Sequence, residues 1–205
     1  MYIKDHRLQG DCITQYACPK NTQKIRKHIA LVLHYTANNN ALKAVKYLTL
    51  PGVNASAHVI IGRNGEVYQT VPFNIEAWHA GKSELDNLHE LNHFSIGIEL
   101  VNQGKLIFEN NRYYNWHNKV VDSKDVFIKE DPNTGHRSFW HRYTPVQLAM
   151  AKEVTWQITN HYHISKVVGH SEISPDRKLD PGEAFPMDQF KQLVYKQNIN
   201  RKAGR

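Results

Sequence analysis

The sequence predicts an α/β fold: a single domain with a central mixed β-sheet flanked by helices. Three observations carry that expectation. Ile29-Ala30-Leu31-Val32-Leu33 is an unbroken apolar run of strand length, as expected of a strand buried on both faces. Asn64-Gly65 between two apolar stretches marks an antiparallel hairpin. Helical patterns then interleave with strand patterns, with no internal repeat, which argues for a sheet covered by helices. At 205 residues the chain suffices for one domain with a sizeable core, whereas two comparable domains would each be small.

Residues 1–28 are polar and read as an irregular segment packed on the domain. The strand at 29–33 ends at His34. Asn38-Asn39-Asn40 supplies cap candidates for a helix over about 41–48, stopped by Pro51-Gly52. Residues 57–61 and 66–71 flank the Gly62-Arg63-Asn64-Gly65 turn, and residues 74–94 read as loop. Residues 95–101 alternate, with Ile96, Ile98 and Leu100 on one face and Ser95, Gly97, Glu99 and Val101 on the other. Glu99 thus shares its face with a glycine, which leaves space above the sheet. Residues 104–143 are polar, basic and aromatic and read as an excursion containing a short strand or helix. Thr144-Pro145-Val146-Gln147 combines an N-cap, a first-turn proline and a capping-box glutamine, opening a helix to about residue 162 with Val146, Met150, Val154 and Ile158 as its stripe. Lys166-Val167-Val168 is a strand leading to Gly169-His170. Residues 171–184 form a Pro-containing loop, Pro186 opens a last helix to about residue 198, and residues 199–205 form a frayed tail.

Composition narrows the function classes. With 40% hydrophobic and 22% charged residues the chain is globular. No apolar run is long enough to span a membrane, and Met1-Tyr2-Ile3-Lys4 and the residues after it lack the apolar core of a secretory signal. The cytoplasm is the expected compartment, with the periplasm or envelope the alternative if a leader has been removed. The net charge, 26 − 19 = +7, raises nucleic acid, membrane surfaces and other anionic polymers as partners, but no helix-turn-helix or zinc-finger pattern supports nucleic acid. Cys12 and Cys18 could pair or remain free thiols. The thirteen histidines are the unusual count, because imidazole is both a common metal ligand and a proton shuttle near neutral pH.

His34 and His170 both stand at strand ends, where a sheet can aim side chains from several strands at one point. Asp180 follows ten residues after His170. Two imidazoles and a carboxylate match a catalytic zinc set, in which three protein ligands leave a fourth position for water. On spacing alone, ordinary hydrogen-bonded histidines remain an equal alternative.

The surrounding words go further. Leu33-His34-Tyr35-Thr36-Ala37, Ser56-Ala57-His58, Trp78-His79-Ala80-Gly81, Ser95-Ile96-Gly97-Ile98-Glu99-Leu100-Val101-Asn102 and Gly169-His170-Ser171-Glu172-Ile173-Ser174-Pro175-Asp176-Arg177-Lys178-Leu179-Asp180-Pro181-Gly182 occur in order. Together they resemble the type 2 N-acetylmuramoyl-L-alanine amidases, the AmpD-like zinc amidases related to phage amidase lysozymes and peptidoglycan recognition proteins. The resemblance runs over residues 29–190, within a zinc amidase domain expected at 29–198.

The resemblance implies one Zn2+ per chain held by His34, His170 and Asp180, with Glu99 and Lys178 as catalytic residues. An aspartate rather than a cysteine as third ligand is similar to the AmpD-like branch. It also implies hydrolysis of the amide between the lactyl group of (anhydro-)N-acetylmuramic acid and L-alanine, in muropeptides or peptidoglycan, by a monomer. Because binding-only relatives typically lack a full ligand set, the intact set favours an enzyme over the alternative, a non-catalytic peptidoglycan-binding module. On the substrate side stand Tyr35, Trp78 and His79, the last of which could instead brace its loop. Arg177 is a candidate partner for a peptide carboxylate, since guanidinium binds carboxylates bidentately. Tyr113, Tyr114, Trp116, Trp140, His141 and Arg142 could wall the cleft or simply pack. His58, among apolar neighbours, reads as a hydrogen-bonded structural histidine. The remaining nine histidines read as surface or capping residues.

Overall fold

The computed structural model describes residues 1–203, and the first departure from expectation is at its start. β1 (Tyr2–Lys4) and β2 (Arg7–Gln9) pair antiparallel around Asp5 and His6, both at positive φ, and β3 (Ile13–Gln15) joins the edge of the central sheet. Strands of three residues are too short for an alternating pattern to show, and Asp5-His6 lacks the glycine that announces such a turn.

The central sheet follows from β4 (Ala30–Tyr35), whose first five residues are buried. Asn40 caps α1 (Ala41–Thr49) by accepting from the Lys43 N–H, and the helix ends at Leu50 because the residue before a proline is pushed out of helical space. The expected hairpin comprises β5 (Val59–Ile61) and β6 (Val67–Gln69), paired antiparallel. A small hairpin, β7 (Glu84–Leu85) and β8 (Leu88–His89), interrupts the loop before β9 (Ser95–Leu100).

Residues 104–143 hold far more than one short strand. β10 (Lys105–Glu109), β11 (Arg112–Tyr114), β12 (Val120–Val121), β13 (Val126–Glu130) and β14 (Arg137–His141) form a second, antiparallel sheet in the order β12-β11-β10-β14-β13. Leu106, Val121 and Val126 make its own small core, with Tyr113 and Phe139 packed against them. Its other face is open, with Ile107 and Val120 exposed, so apolar residues fall on both faces and mask the alternation.

The chain returns through α2 (Pro145–His161), β15 (Lys166–Gly169), the single turn α3 (His170–Ile173) and α4 (Met187–Ala203). Thr144 caps α2 as expected, but Gln147 does not complete a capping box. It turns inward and donates to the carbonyls of Ile61 and Val101, so the buried stripe contains Gln147, Ala151, Val154, Thr155 and Ile158 and leaves Val146 half exposed. The helix α4 continues past residue 198 to Ala203, since the first helix-breaking residue in the sequence is Gly204. Of the expected tail, residues 204 and 205 lie outside the described residues.

The central sheet has the order β15-β4-β9-β5-β6-β3. It is mixed: β4 runs parallel to β15 and β9, β5 parallel to β9 but antiparallel to β6. On one face Leu31, Leu33, Ile96, Ile98, Leu100, Val59 and Ile61 pack with Val154, Ile158, Phe190 and Val194 of α2 and α4. Each such burial contributes roughly 1.5–3 kcal/mol relative to exposure. The opposite face packs Ile60 on α1 and Val32 on Ala80, Leu91 and Ile173. His34 and Glu99 lie on that second face, where β4 and β9 end.

Candidate active site

Four structural elements bring the site together. His34 sits at the end of β4, and Glu99 is its register partner on β9. His170 opens α3 directly after β15, whose Gly169 N–H donates to Glu172 Oε2 at 2.7 Å. Asp180 lies on the following loop, which is anchored by the Ser171 N–H donating to the Asp180 carbonyl and by the Tyr143 hydroxyl donating to the Pro181 carbonyl, both at 2.8 Å.

The result is a tight triangle. His34 Nδ1 lies 2.9 Å from His170 Nδ1 and 2.9 Å from Asp180 Oδ2, and His170 Nδ1 lies 3.0 Å from that same oxygen. All three residues are buried, and among the described residues they are the set that could hold a metal ion.

The electrostatics suit ligands. Burial pushes His34 below its ordinary value, which keeps the ring neutral and its lone pair available. Glu99 is pushed up to about 8, chiefly by burial and then by the negative charge of Asp180, with Lys178 pulling the other way. Its Oε2 is sealed from solvent without a hydrogen-bond partner. A buried carboxyl oxygen with nothing to bond, beside two imidazoles and a carboxylate converging on one point, fits a site completed by a cation and a polar substrate.

These groups share a cavity of about 420 Å³ with every other residue expected at the site. Lys178 and Trp78 line it. So does Tyr35, whose hydroxyl burial pushes up to about 12 and which the Lys105 N–H contacts where the second sheet begins. His79 also lines the cavity but is buried, its Nδ1 3.0 Å from His34 Nε2. Arg177 reaches it too, yet its Nη2 donates to the carbonyls of Ala80 and Lys82 and to Ser174 Oγ, at 2.8–3.1 Å, so this nitrogen braces the 78–82 loop.

Of the aromatic insert, Trp140, His141 and Tyr143 are buried, whereas Trp116 is exposed with its Nε1 donating to the carbonyl of Ala37 at the cavity rim. His58 is the structural histidine expected: Nδ1 accepts from the Gly97 N–H and Nε2 faces the Ile75 carbonyl at 2.9 Å. Three of the nine histidines assigned to the surface are not there. His141 is buried, accepting from the Gln103 N–H, His28 is half buried, stacked on Tyr162, and His93 is largely covered, its Nδ1 against buried Glu76. Ser56 was missed as a site residue; it is buried in the cavity wall, and its Oγ accepts from the Trp78 N–H. Its only signal was its place in the Ser56-Ala57-His58 block.

The family model for N-acetylmuramoyl-L-alanine amidase (Amidase_2) matches residues 22–183. The chain belongs to the type 2 N-acetylmuramoyl-L-alanine amidase family. The 1,6-anhydro-N-acetylmuramyl-L-alanine amidase AmpD of Escherichia coli (strain K12) is 34% identical over 147 residues, 71% of this chain and 61% of that protein. The chain thus spans about three fifths of the length of the curated relatives it matches. Two solved amidase structures superpose on nearly the whole fold. A selenomethionine derivative of AmpD matches with a TM-score of 0.63 and 25% identity, covering 95% of this chain and 99% of that one. The amidase AmiD from E. coli, in complex with the substrate anhydro-N-acetylmuramic acid-L-Ala-D-gamma-Glu-L-Lys, matches with a TM-score of 0.62 and 28% identity, covering 91% of this chain and 61% of that one. The α/β architecture expected for an amidase is therefore the one observed. Among the described residues no helix is long and apolar enough to cross a membrane.

Proposed function

We propose that this protein is a zinc-dependent N-acetylmuramoyl-L-alanine amidase that cleaves the amide between the lactyl carbonyl of 1,6-anhydro-N-acetylmuramic acid and L-alanine in muropeptides, a peptidoglycan-recycling reaction. The observation that carries the reading is the His34, His170 and Asp180 triangle, 2.9–3.0 Å on each side, in one cavity with the unpartnered oxygen of Glu99. The relatives supply the substrate class: the AmpD proteins are named for the anhydro-muramyl amide, and AmiD is seen with such a peptide.

His34, His170 and Asp180 would hold one zinc ion, with two neutral imidazoles and an ionised carboxylate as ligands. When bound, zinc supplies Lewis acidity to the scissile carbonyl and a lowered pKa to water. Glu99 takes the proton of the attacking water and returns it to the alanine nitrogen as the C–N bond breaks, leaving a lactyl carboxylic acid and a free peptide amine, which ionise to carboxylate and ammonium in water. A carboxyl whose environment raises its pKa towards neutrality suits both halves of that transfer. Lys178, lining the same cavity, offers its ammonium to the oxygen that gains charge as the carbonyl becomes tetrahedral.

The test is incubation of the purified protein, with zinc and then with chelator, on anhydro-muropeptide and on intact sacculi, with mass spectrometry of the products. Zinc-dependent release of the peptide from anhydro-muropeptide is expected. Binding without release would instead make the chain a peptidoglycan-binding module.

A further inference from the structure

The protons of the buried imidazoles can be assigned by following hydrogen bonds inwards from the backbone. Ser95 Oγ lies 2.5 Å from the Leu91 carbonyl, which only accepts, so the serine proton is used there. Ser95 therefore presents two acceptors, its Oγ and its carbonyl, each 3.3 Å from His79 Nε2. The His79 proton belongs on Nε2, and His79 Nδ1 is left with a lone pair 3.0 Å from His34 Nε2. His34 must then donate from Nε2 and keep its own lone pair on Nδ1. On the other side of the site His170 Nε2 lies 3.1 Å from the Ala80 carbonyl, which places that proton on Nε2 and the lone pair on Nδ1. Two imidazole lone pairs thus meet a carboxylate oxygen at about 3 Å, a mutually repulsive arrangement that a cation relieves.

From this geometry we infer that two consecutive residues of one loop, His79 through Nδ1 and Ala80 through its carbonyl, lock both histidine ligands in the tautomer that offers Nδ1 to the metal, and that His79 is a positioning residue for His34 rather than a substrate contact. The inference rests on the reading of His34, His170 and Asp180 as metal ligands.

The loop is held for this task from several sides. Asn92 Oδ1 accepts from the N–H groups of both His79 and Ala80, at 3.0 and 2.8 Å. Arg177 Nη2 donates to the second lone pair of the Ala80 carbonyl at 3.0 Å. Gly97 makes the space: a Cβ there would lie 2.4 Å from His79 Cγ, so the imidazole lies against bare backbone. His58 in turn fixes that backbone by accepting from the Gly97 N–H at 3.0 Å. The Trp78-His79-Ala80-Gly81 and Ser95-Ile96-Gly97 words, separate in sequence, are two halves of one device. Outer partners of this kind orient the ligand and fix its tautomer, and losing one typically weakens metal binding 10–100-fold.

The test compares His79→Leu, which fills the space without an acceptor, with His79→Asn, whose Oδ1 stands where Nδ1 stood. Zinc affinity is measured by chelator competition, and the tautomer of His34 by long-range 1H–15N spectra of the metal-free protein. The wild type is expected to show the His34 proton on Nε2. The leucine variant is expected to bind zinc 10–100-fold more weakly, with KM for anhydro-muropeptide unchanged in its residual turnover, and the asparagine variant to recover most of the loss. Wild-type zinc affinity in His79→Leu, or a raised KM with zinc affinity intact, overturns the inference. So does a wild-type His34 protonated on Nδ1, a result that stands even if the leucine variant does not fold. A wild type that binds no zinc at all is a different failure, that of the metal reading itself.

Discussion

His34 and Glu99 are register partners: their Cα atoms pair across the parallel strands β4 and β9, so both side chains leave the same face of the sheet at the same end. One strand further, Leu33 pairs with Gly169, the residue before His170. The parallel sheet therefore places a proton carrier and two of the three proposed ligands by register, and only Asp180 depends on a loop. A slip of one residue would turn His34 or Glu99 into the α2–α4 core, so the apolar alternation that specifies the sheet also specifies the site.

Glu99→Gln keeps the shape of the side chain and removes its ability to carry a proton. Turnover is expected to fall about 10²- to 10⁴-fold, the usual contribution of a general acid–base group, while metal analysis still finds one zinc per chain. Full activity in the glutamine variant would assign the base elsewhere.

Removing the third ligand should act on binding rather than on chemistry alone. Zinc that binds only the folded state stabilises it by mass action, by about 2.7 kcal/mol at one hundred times Kd. Thermal melts of the wild type are therefore expected to shift upwards with zinc and return with chelator. Asp180→Ala, with no carboxylate between the two imidazoles, is expected to show neither shift nor turnover. An equal zinc-induced shift in that variant would remove Asp180 from the ligand set.

Much of this was legible in sequence because it follows from periodicity. Ile96, Ile98 and Leu100 do face the helices, and Glu99 does face the cavity with Gly97 beside it. What remained hidden depends on contacts with no periodic signal. Leu8 is buried from a three-residue strand, and Gln147, placed as if to cap a helix, satisfies two carbonyls of the sheet instead. Backbone groups carry no residue signature, so the Ala80 carbonyl facing His170 could not be read from the sequence. Nothing local to Arg177 reveals that the carbonyls of Ala80 and Lys82, almost a hundred residues away, engage its Nη2.

The buried neutral histidines make a prediction about acid. His58 and His141 are both pushed down to about 3, in each case mainly by burial, with the Arg63 charge adding to the effect on His141. In the unfolded chain both take up protons near pH 6.5. Between those values the unfolded state binds more protons than the folded one, so their stabilisation is complete above about 6.5 and is lost as pH falls towards 3. The slope is about 1.4 kcal/mol per pH unit for each histidine. Urea unfolding of the metal-free protein between pH 7 and 4 should show this decline, and His58→Gln should make it shallower. Unchanged stability down to pH 5 would contradict their burial in neutral form.

Gly104 couples the second sheet to the cavity. It sits between β9 and β10 at φ +75°, a conformation costly for any residue with a Cβ. Its N–H donates to Asn102 Oδ1 and its carbonyl accepts from the His141 N–H, both at 2.8 Å, so the backbone has little room to relax. A Cβ there would lie 2.6 Å from Tyr35 Cζ, and Tyr35 lines the cavity. Gly104→Ala must therefore displace either the ring or the sheet, at a cost on the order of 1–3 kcal/mol. KM for muropeptide should rise while zinc stoichiometry stays at one. The strain and the clash separate in a double-mutant cycle: in a Tyr35→Ala background the ring is gone, so Gly104→Ala should cost only the backbone strain. Additive effects of the two substitutions on urea stability would show that Gly104 and Tyr35 do not meet as described.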